Sequence, residues 1–176
     1  MQTFLPFSDF TKSFKVLDWK RLGKQRVEAL TIIKAIESQS RNDGKQYKGW
    51  SNHPCVIMWR KYVPALKQYH NLSILEWEMR GYNNNMSLFD LDEEQIIYPH
   101  WLGFPQYHAS HRANLLRKYF IYYSQYRWEE QPSEIYVWLD AGDNWYYLRS
   151  GTRERIYLNS SKGLGLESGN NQGHAF

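Results

Sequence analysis

Apolar positions recur at helical spacing in three stretches of this chain. In the first, Leu22, Arg26, Ala29, Ile33 and Ile36 fall three and four apart, which predicts a helix from about Asp18 to Ser38 with that set facing inward. An arginine inside an apolar stripe is unusual for a plain surface helix. Arg21, Gln25, Glu28 and Ile32 form the adjacent strip, at the edge between core and solvent. A second stretch, about Cys55 to Arg80, carries Met58, Tyr62, Leu66, Tyr69, Leu72 and Leu75 on one face. Pro64 predicts a kink there or two consecutive helices, and Gly81 marks the stop. The third, from near Ser110 to about Tyr126, turns Ala113, Leu116, Phe120 and Tyr123 inward and sets Asn114, Arg117 and Lys118 on its flank.

The segments between these helices have other patterns. Ser8 is placed to cap a short first helix through Asp9, Phe10, Thr11 and Lys12. Residues 39–51 are polar with two Gly and read as a loop, and 82–100, rich in Asn and acids, reads as a disordered or excursion loop. Beyond Pro132 the period changes: Ile135–Leu139, Trp145–Leu148 and Arg155–Leu158 are β-rich, and the last two flank Arg149-Ser150-Gly151-Thr152-Arg153 as a hairpin. The expected fold is mainly α, a compact bundle of three main helices with a small C-terminal β-hairpin appendage. Its expected parts are a helical domain over 1–138, the β appendage over 139–160 and a flexible tail over 161–176.

Length and charge narrow the function. At 176 residues the chain is long enough for one domain with a core of its own. A net charge of +4 favours an anionic partner, and eight Trp with fourteen Tyr supply rings that can stack on bases or wedge between them. The single Cys55 excludes an internal disulfide and a cysteine zinc cage, and fits a reducing compartment. No apolar run approaches ~20 residues and the first residues lack a leader pattern. The expectation is an intracellular, cytoplasmic monomer without a membrane segment.

Chemistry concentrates in the first sixty residues. Glu28 sits among Lys20, Arg21, Lys24, Arg26 and Lys34, close to the terminal amine of Met1. With Lys24 it makes an i,i+4 salt bridge on a helix surface, or it is an acid/base group whose cationic neighbours hold phosphates. In Asn52-His53-Pro54, Asn52 suits an N-cap and Pro54 a first turn, while His53 either packs or donates to an anion arriving at the helix start. His108 and His111, with His100 upstream, raise a metal reading, but no acid completes a familiar ligand set. The competing view makes them a polar helix start whose N–H groups join Ser110, Arg112, Arg117 and Lys118 in a phosphate-binding surface. Trp50, in a turn, is the aromatic most suited to exposure.

Three segments together carry a resemblance: Leu17 to Ile36, the turn Lys48-Gly49-Trp50-Ser51-Asn52-His53-Pro54, and Glu78-Met79-Arg80-Gly81-Tyr82. They resemble the pyrimidine-dimer DNA glycosylase family, the phage endonuclease V type of ultraviolet-damage repair enzyme, over about residues 1–138. The resemblance implies a compact helical fold, cleavage of the N-glycosidic bond of a pyrimidine dimer, and a nick at the abasic site by β-elimination. It implies an N-terminal α-amine as nucleophile, here that of Met1, assisted by a glutamate that corresponds to Glu28, with no cofactor and no metal. An α-amine ordinarily titrates near ~7.7–8, so part of it is neutral at working pH. The DNA-binding set it suggests is Arg21, Lys24, Gln25, Arg26, Trp50, Asn52, His53, Ser110, Arg112, Arg117 and Lys118, acting on duplex DNA with a damaged base.

Two departures from the family pattern accompany this. Val27 precedes Glu28 where the family has arginine, and Arg26 lies one place earlier, about 100° around the helix. Gln2 is a large second residue, which leaves the initiator methionine in place. Open alternatives are a non-catalytic DNA-binding module on the same scaffold, a glycosylase for another modified base, and metal-dependent hydrolysis by the histidines.

Overall fold

A computed structural model describes residues 1–39 and 50–158. Most of the expected 39–51 loop, including Lys48 and Gly49, and the expected tail over 161–176 lie outside the described residues. Among the described residues, six α-helices and a small antiparallel sheet make a mainly α fold.

Helix α1 spans Phe10–Val16. Its cap is Asp9 rather than the expected Ser8: the Asp9 carboxylate accepts the Lys12 N–H at 2.6 Å, the three-residue reach an N-cap needs. Helix α2 spans Trp19–Gln39. Asp18, almost fully buried, ties down its start by accepting the Lys20 and Arg21 N–H groups, and takes the Tyr123 hydroxyl at 2.6 Å. Burial and that carboxylate hold the Tyr123 phenol well above its usual range.

Leu22, Ala29, Ile33 and Ile36 of α2 are buried as their spacing predicts, but Gln25 and Ile32 are fully buried too. Half of the expected edge strip is therefore core, while Arg21 and Glu28 stay half-buried at its edge. The reason is that α2 is covered by α4 on one side and by the chain's first residues on another. Arg26 leaves the stripe instead: its guanidinium lies 4.1 Å from the Trp77 ring and donates to Asn84.

Helix α3, Pro54–Trp59, and helix α4, Val63–Met79, are the two consecutive helices that Pro64 predicts. The α3 cap is His53, not Asn52, with Pro54 in the first turn. Ala65, Leu66, Tyr69, His70 and Ile74 face the core from α4, whereas Leu75, expected inward, is 46% exposed. Gly81 ends α4 at φ +81°, a left-handed value that favours glycine. Arg80 reaches across to the end of α1 and donates to Leu17 O at 2.6 Å and Phe14 O at 2.7 Å, satisfying carbonyls that a helix end leaves free.

The 82–104 connector runs along the helices and is pinned there. Asn71 brackets Phe89 through both backbone groups at 2.8 Å, and the Trp101 indole donates to Met58 O. Helix α5 spans Pro105–Lys118, beginning five residues before the expected Ser110 because a proline suits a first turn. The helix breaks at Tyr119, a short α6 follows over Phe120–Tyr123, and Phe120 is exposed rather than inward.

Strands β1 (Ile135–Leu139), β2 (Trp145–Arg149) and β3 (Arg155–Tyr157) pair in sequence order, so a third strand joins the expected hairpin. The expected boundary at 138/139 falls inside β1. Four of the five β1 residues are buried, and Val137 N–H and Ile135 O bond to Ser110 and Asn114 of α5. The sheet thus completes the helical core. Among the described residues no helix is long and apolar enough to cross a membrane.

Candidate active-site cavity

The chain's first residues are not a loose end. Gln2 to Pro6 are buried, and α5 holds them from below. His111 Nδ1 accepts the Leu5 N–H at 2.8 Å, and the His108 Nδ1–H donates to Leu5 O at 2.7 Å while its Nε2 accepts the Gly103 N–H. These imidazoles anchor backbone with the nitrogens a metal would need, and burial keeps both pKa values below the ordinary one. On the other side Gln25 Oε1 accepts the Phe4 N–H at 2.8 Å and the Tyr69 hydroxyl at 2.6 Å. The segment is held over its length, and Met1 is left at its end, half-buried.

Met1 lines a cavity of about 550 Å³, within the ~300–1,000 Å³ of ordinary ligand sites. From α2 come Lys20, Arg21, Lys24 and Glu28, and from the end of α5 comes Lys118. His53 and Pro54 enter from the start of α3, Tyr136 and Trp138 from β1. The end of β2 contributes Arg149, and the turn after it Ser150, Gly151 and Thr152.

Glu28 is oriented by the main chain. Its Oε2 accepts the Gln2 N–H at 3.0 Å, one residue from the terminal amine. Among the described residues it makes no ion pair with Lys24, so the helix-surface pairing is not what occupies this carboxylate. His53 Nδ1 accepts the Cys55 N–H at 3.2 Å, which leaves the proton of a neutral ring on Nε2. Burial first, and the positive charge of the terminal amine second, lower the His53 pKa to about 4. The imidazole is therefore a neutral N–H donor near neutral pH. Lys118 is lowered as well, by burial and by the charges of Arg117, Arg21 and Lys24. Cys55, buried and raised to about 11, stays a thiol.

Of the residues singled out from sequence, the cavity gathers Met1, Arg21, Lys24, Glu28, His53 and Lys118. Trp50 and Asn52 are exposed on the turn leading into α3, with the Trp50 ring 5.7 Å from that of His53. Arg117 is exposed beside Lys118. Four others are engaged in the scaffold. Gln25 is at 0% exposure under Phe4, and Arg26 lies on Trp77. The Ser110 hydroxyl is spent on Tyr107 O and the Val137 N–H beneath β1. Arg112 is bound to Glu130 at 2.6 Å and to Pro6 O at 2.7 Å. What the motifs missed is the sheet's side of the cavity. The turn at Arg149–Thr152 was legible as a turn, but nothing local says what it overhangs.

A helical fold whose cation-lined cavity holds an amine and a carboxylate defines a protein built for an anionic ligand. The chain belongs to the pyrimidine dimer DNA glycosylase family, whose model matches residues 1–90. Membership identifies a DNA glycosylase of pyrimidine-dimer repair, with DNA as the molecule it binds. Comparison with curated proteins and with solved structures gives no match.

Proposed function

We propose that the protein removes a dimerised pyrimidine from duplex DNA and then nicks the abasic site through an imine, with the Met1 α-amine as nucleophile and Glu28 as the proton-transfer group. The observation that carries this reading is the Glu28 carboxylate bonded to the Gln2 N–H inside the cavity that Met1 lines. The neutral amine attacks C1′ of the sugar as the N-glycosidic bond breaks, and that bond's electron pair leaves with the base, which takes up a proton. Glu28 takes the proton the amine sheds and stabilises positive charge on the sugar. Ring opening then releases O4′ as a hydroxyl and leaves C1′=N. Loss of a C2′ proton drives β-elimination, the C3′–O bond breaks with departure of the 3′ phosphate, and water hydrolyses the imine to return the amine.

Arg21, Lys24 and Lys118, with Lys20, serve the phosphates around an extruded nucleotide. His53 supplies a donor that carries no charge. Trp50 and Asn52 offer a ring and an amide on the adjacent exposed turn, and Arg117 a further cation.

The test is incision of a duplex carrying one pyrimidine dimer by the parent and by Glu28→Gln. Gln retains an oxygen for the Gln2 N–H, so the fold is kept. The expected result is excision slowed ~100-fold or more, the scale of acid/base catalysis, with DNA affinity within about twofold of the parent. Equal incision by the variant overturns the role of Glu28, and a parent that binds but never incises leaves a DNA-binding module.

A further inference from the structure

The cations of the cavity come from two sides. One set lies on α2 and at the end of α5; the other is Arg149, at the end of β2, in a part of the chain beyond the matched residues 1–90. We propose that the β2–β3 hairpin is a DNA-contacting arm, with Arg149 holding a phosphate of the lesion-bearing strand so that the extruded nucleotide is bracketed between the sheet and α2. This deepens the glycosylase reading and rests on it.

The arm is stiff enough for that work. The turn closes on itself, with the Thr152 N–H and hydroxyl donating to Arg149 O at 3.1 and 3.0 Å, and Gly151 at φ +85° supplies the left-handed residue the turn requires. The Ser150 N–H donates to Glu134 O at 2.9 Å, which ties the start of the turn to the segment entering β1. Strand β2 pairs with β1 from Ile135↔Arg149 to Leu139↔Trp145, and β1 is buried beneath α5. A turn on such a base keeps its position when DNA arrives.

Arg149 is also presented for a bidentate contact. Glu134 pairs with it through Nε at 3.1 Å, and the side chain is largely exposed, with its two terminal amino groups at the far end of the guanidinium from that contact. A planar fork pinned at one edge and open at the other matches two phosphate oxygens. A damaged nucleotide keeps a phosphate on each side of its sugar, and a cavity that takes hold of both uses cations on both walls. With Arg149 on the sheet wall and Lys20, Arg21 and Lys24 on the helix wall, this one has them.

The experiment compares Arg149→Gln and Arg149→Lys with the parent in binding and incising a dimer-containing duplex across a salt series. The side chain is 63% exposed, so neither change reaches the core. R149Q is expected to raise KM about tenfold with kcat changed less than about threefold, and to lower the slope of log affinity against log salt by about 1, one phosphate contact. R149K is expected to restore that slope while recovering KM only in part. An R149Q that matches the parent in KM and slope, where the parent incises, overturns the arm alone. A parent that incises no dimer overturns the glycosylase reading, and the arm with it.

Discussion

His53 can keep its contact with the Cys55 N–H only while neutral. Its Nδ1 caps α3 by accepting the Cys55 N–H, and a proton placed there would set two donors against each other. Its other neighbours are the Trp50 and Trp138 rings and the charged terminal amine. With the folded pKa near 4, below the ordinary value of about 6.5, the unfolded chain binds the proton first as pH falls. The stability His53 contributes is therefore complete above about 6.5, is lost as the pH falls from there, and is gone below about 4. An NMR titration of its ring protons should show a midpoint near 4; a midpoint at 6.5 or above would contradict the buried, amine-facing placement. At this scale the site was partly legible. Glu28, Arg21, Lys24 and Lys118 stand out by charge and spacing. Gln25, read as an edge position, is buried because a helical wheel assumes one covered face, and α2 is covered on two.

Helix α5 shows how a single element reverses the meaning of its residues. Ser110 and Arg112 look like part of a polar, phosphate-facing surface, yet Ser110 is bonded inward to β1 and Arg112 to the N-terminal segment, and Asn114 on the flank also bonds to β1. The strand that covers the helix lies some twenty residues further on in sequence, so local patterning carries no sign of it. Arg112 is the clearest case, clamping Pro6 O to the Glu130 carboxylate. Arg112→Ala should lower unfolding stability by about 1–3 kcal/mol, the loss expected for charged hydrogen bonds, and leave DNA affinity within about twofold. Denaturant melts and a binding titration check this together. A severalfold loss of affinity at unchanged stability would return Arg112 to the DNA surface. Helix α4, in contrast, was readable: Pro64 and Gly81 bound it where proline and glycine chemistry says they should.

Across the whole molecule, the arrangement that decides function is the path of the first six residues. They are packed between α2 and α5, with Gln2 buried and its amide 3.0 Å from His111, and the end of that path opens into the cavity beside Glu28. The bundle, its three main helices and the β-rich end could be read from periodicity. The way the sheet turns back to make one wall of the cavity could not, because it depends on packing against α5 and α3, elements that local patterning does not link to it. The structure thus sets one α-amine, one carboxylate and a surround of cations in one place, and the claim that the amine is the nucleophile has a direct test. The protein is incubated with a duplex bearing an abasic site, borohydride is added, and any covalent adduct is mapped by peptide mass. The account predicts an adduct on the peptide that begins at Met1, lost or strongly reduced in Glu28→Gln. An adduct on Lys118, Lys20 or Lys24 would contradict the role of Met1, and the absence of any adduct would contradict the imine itself.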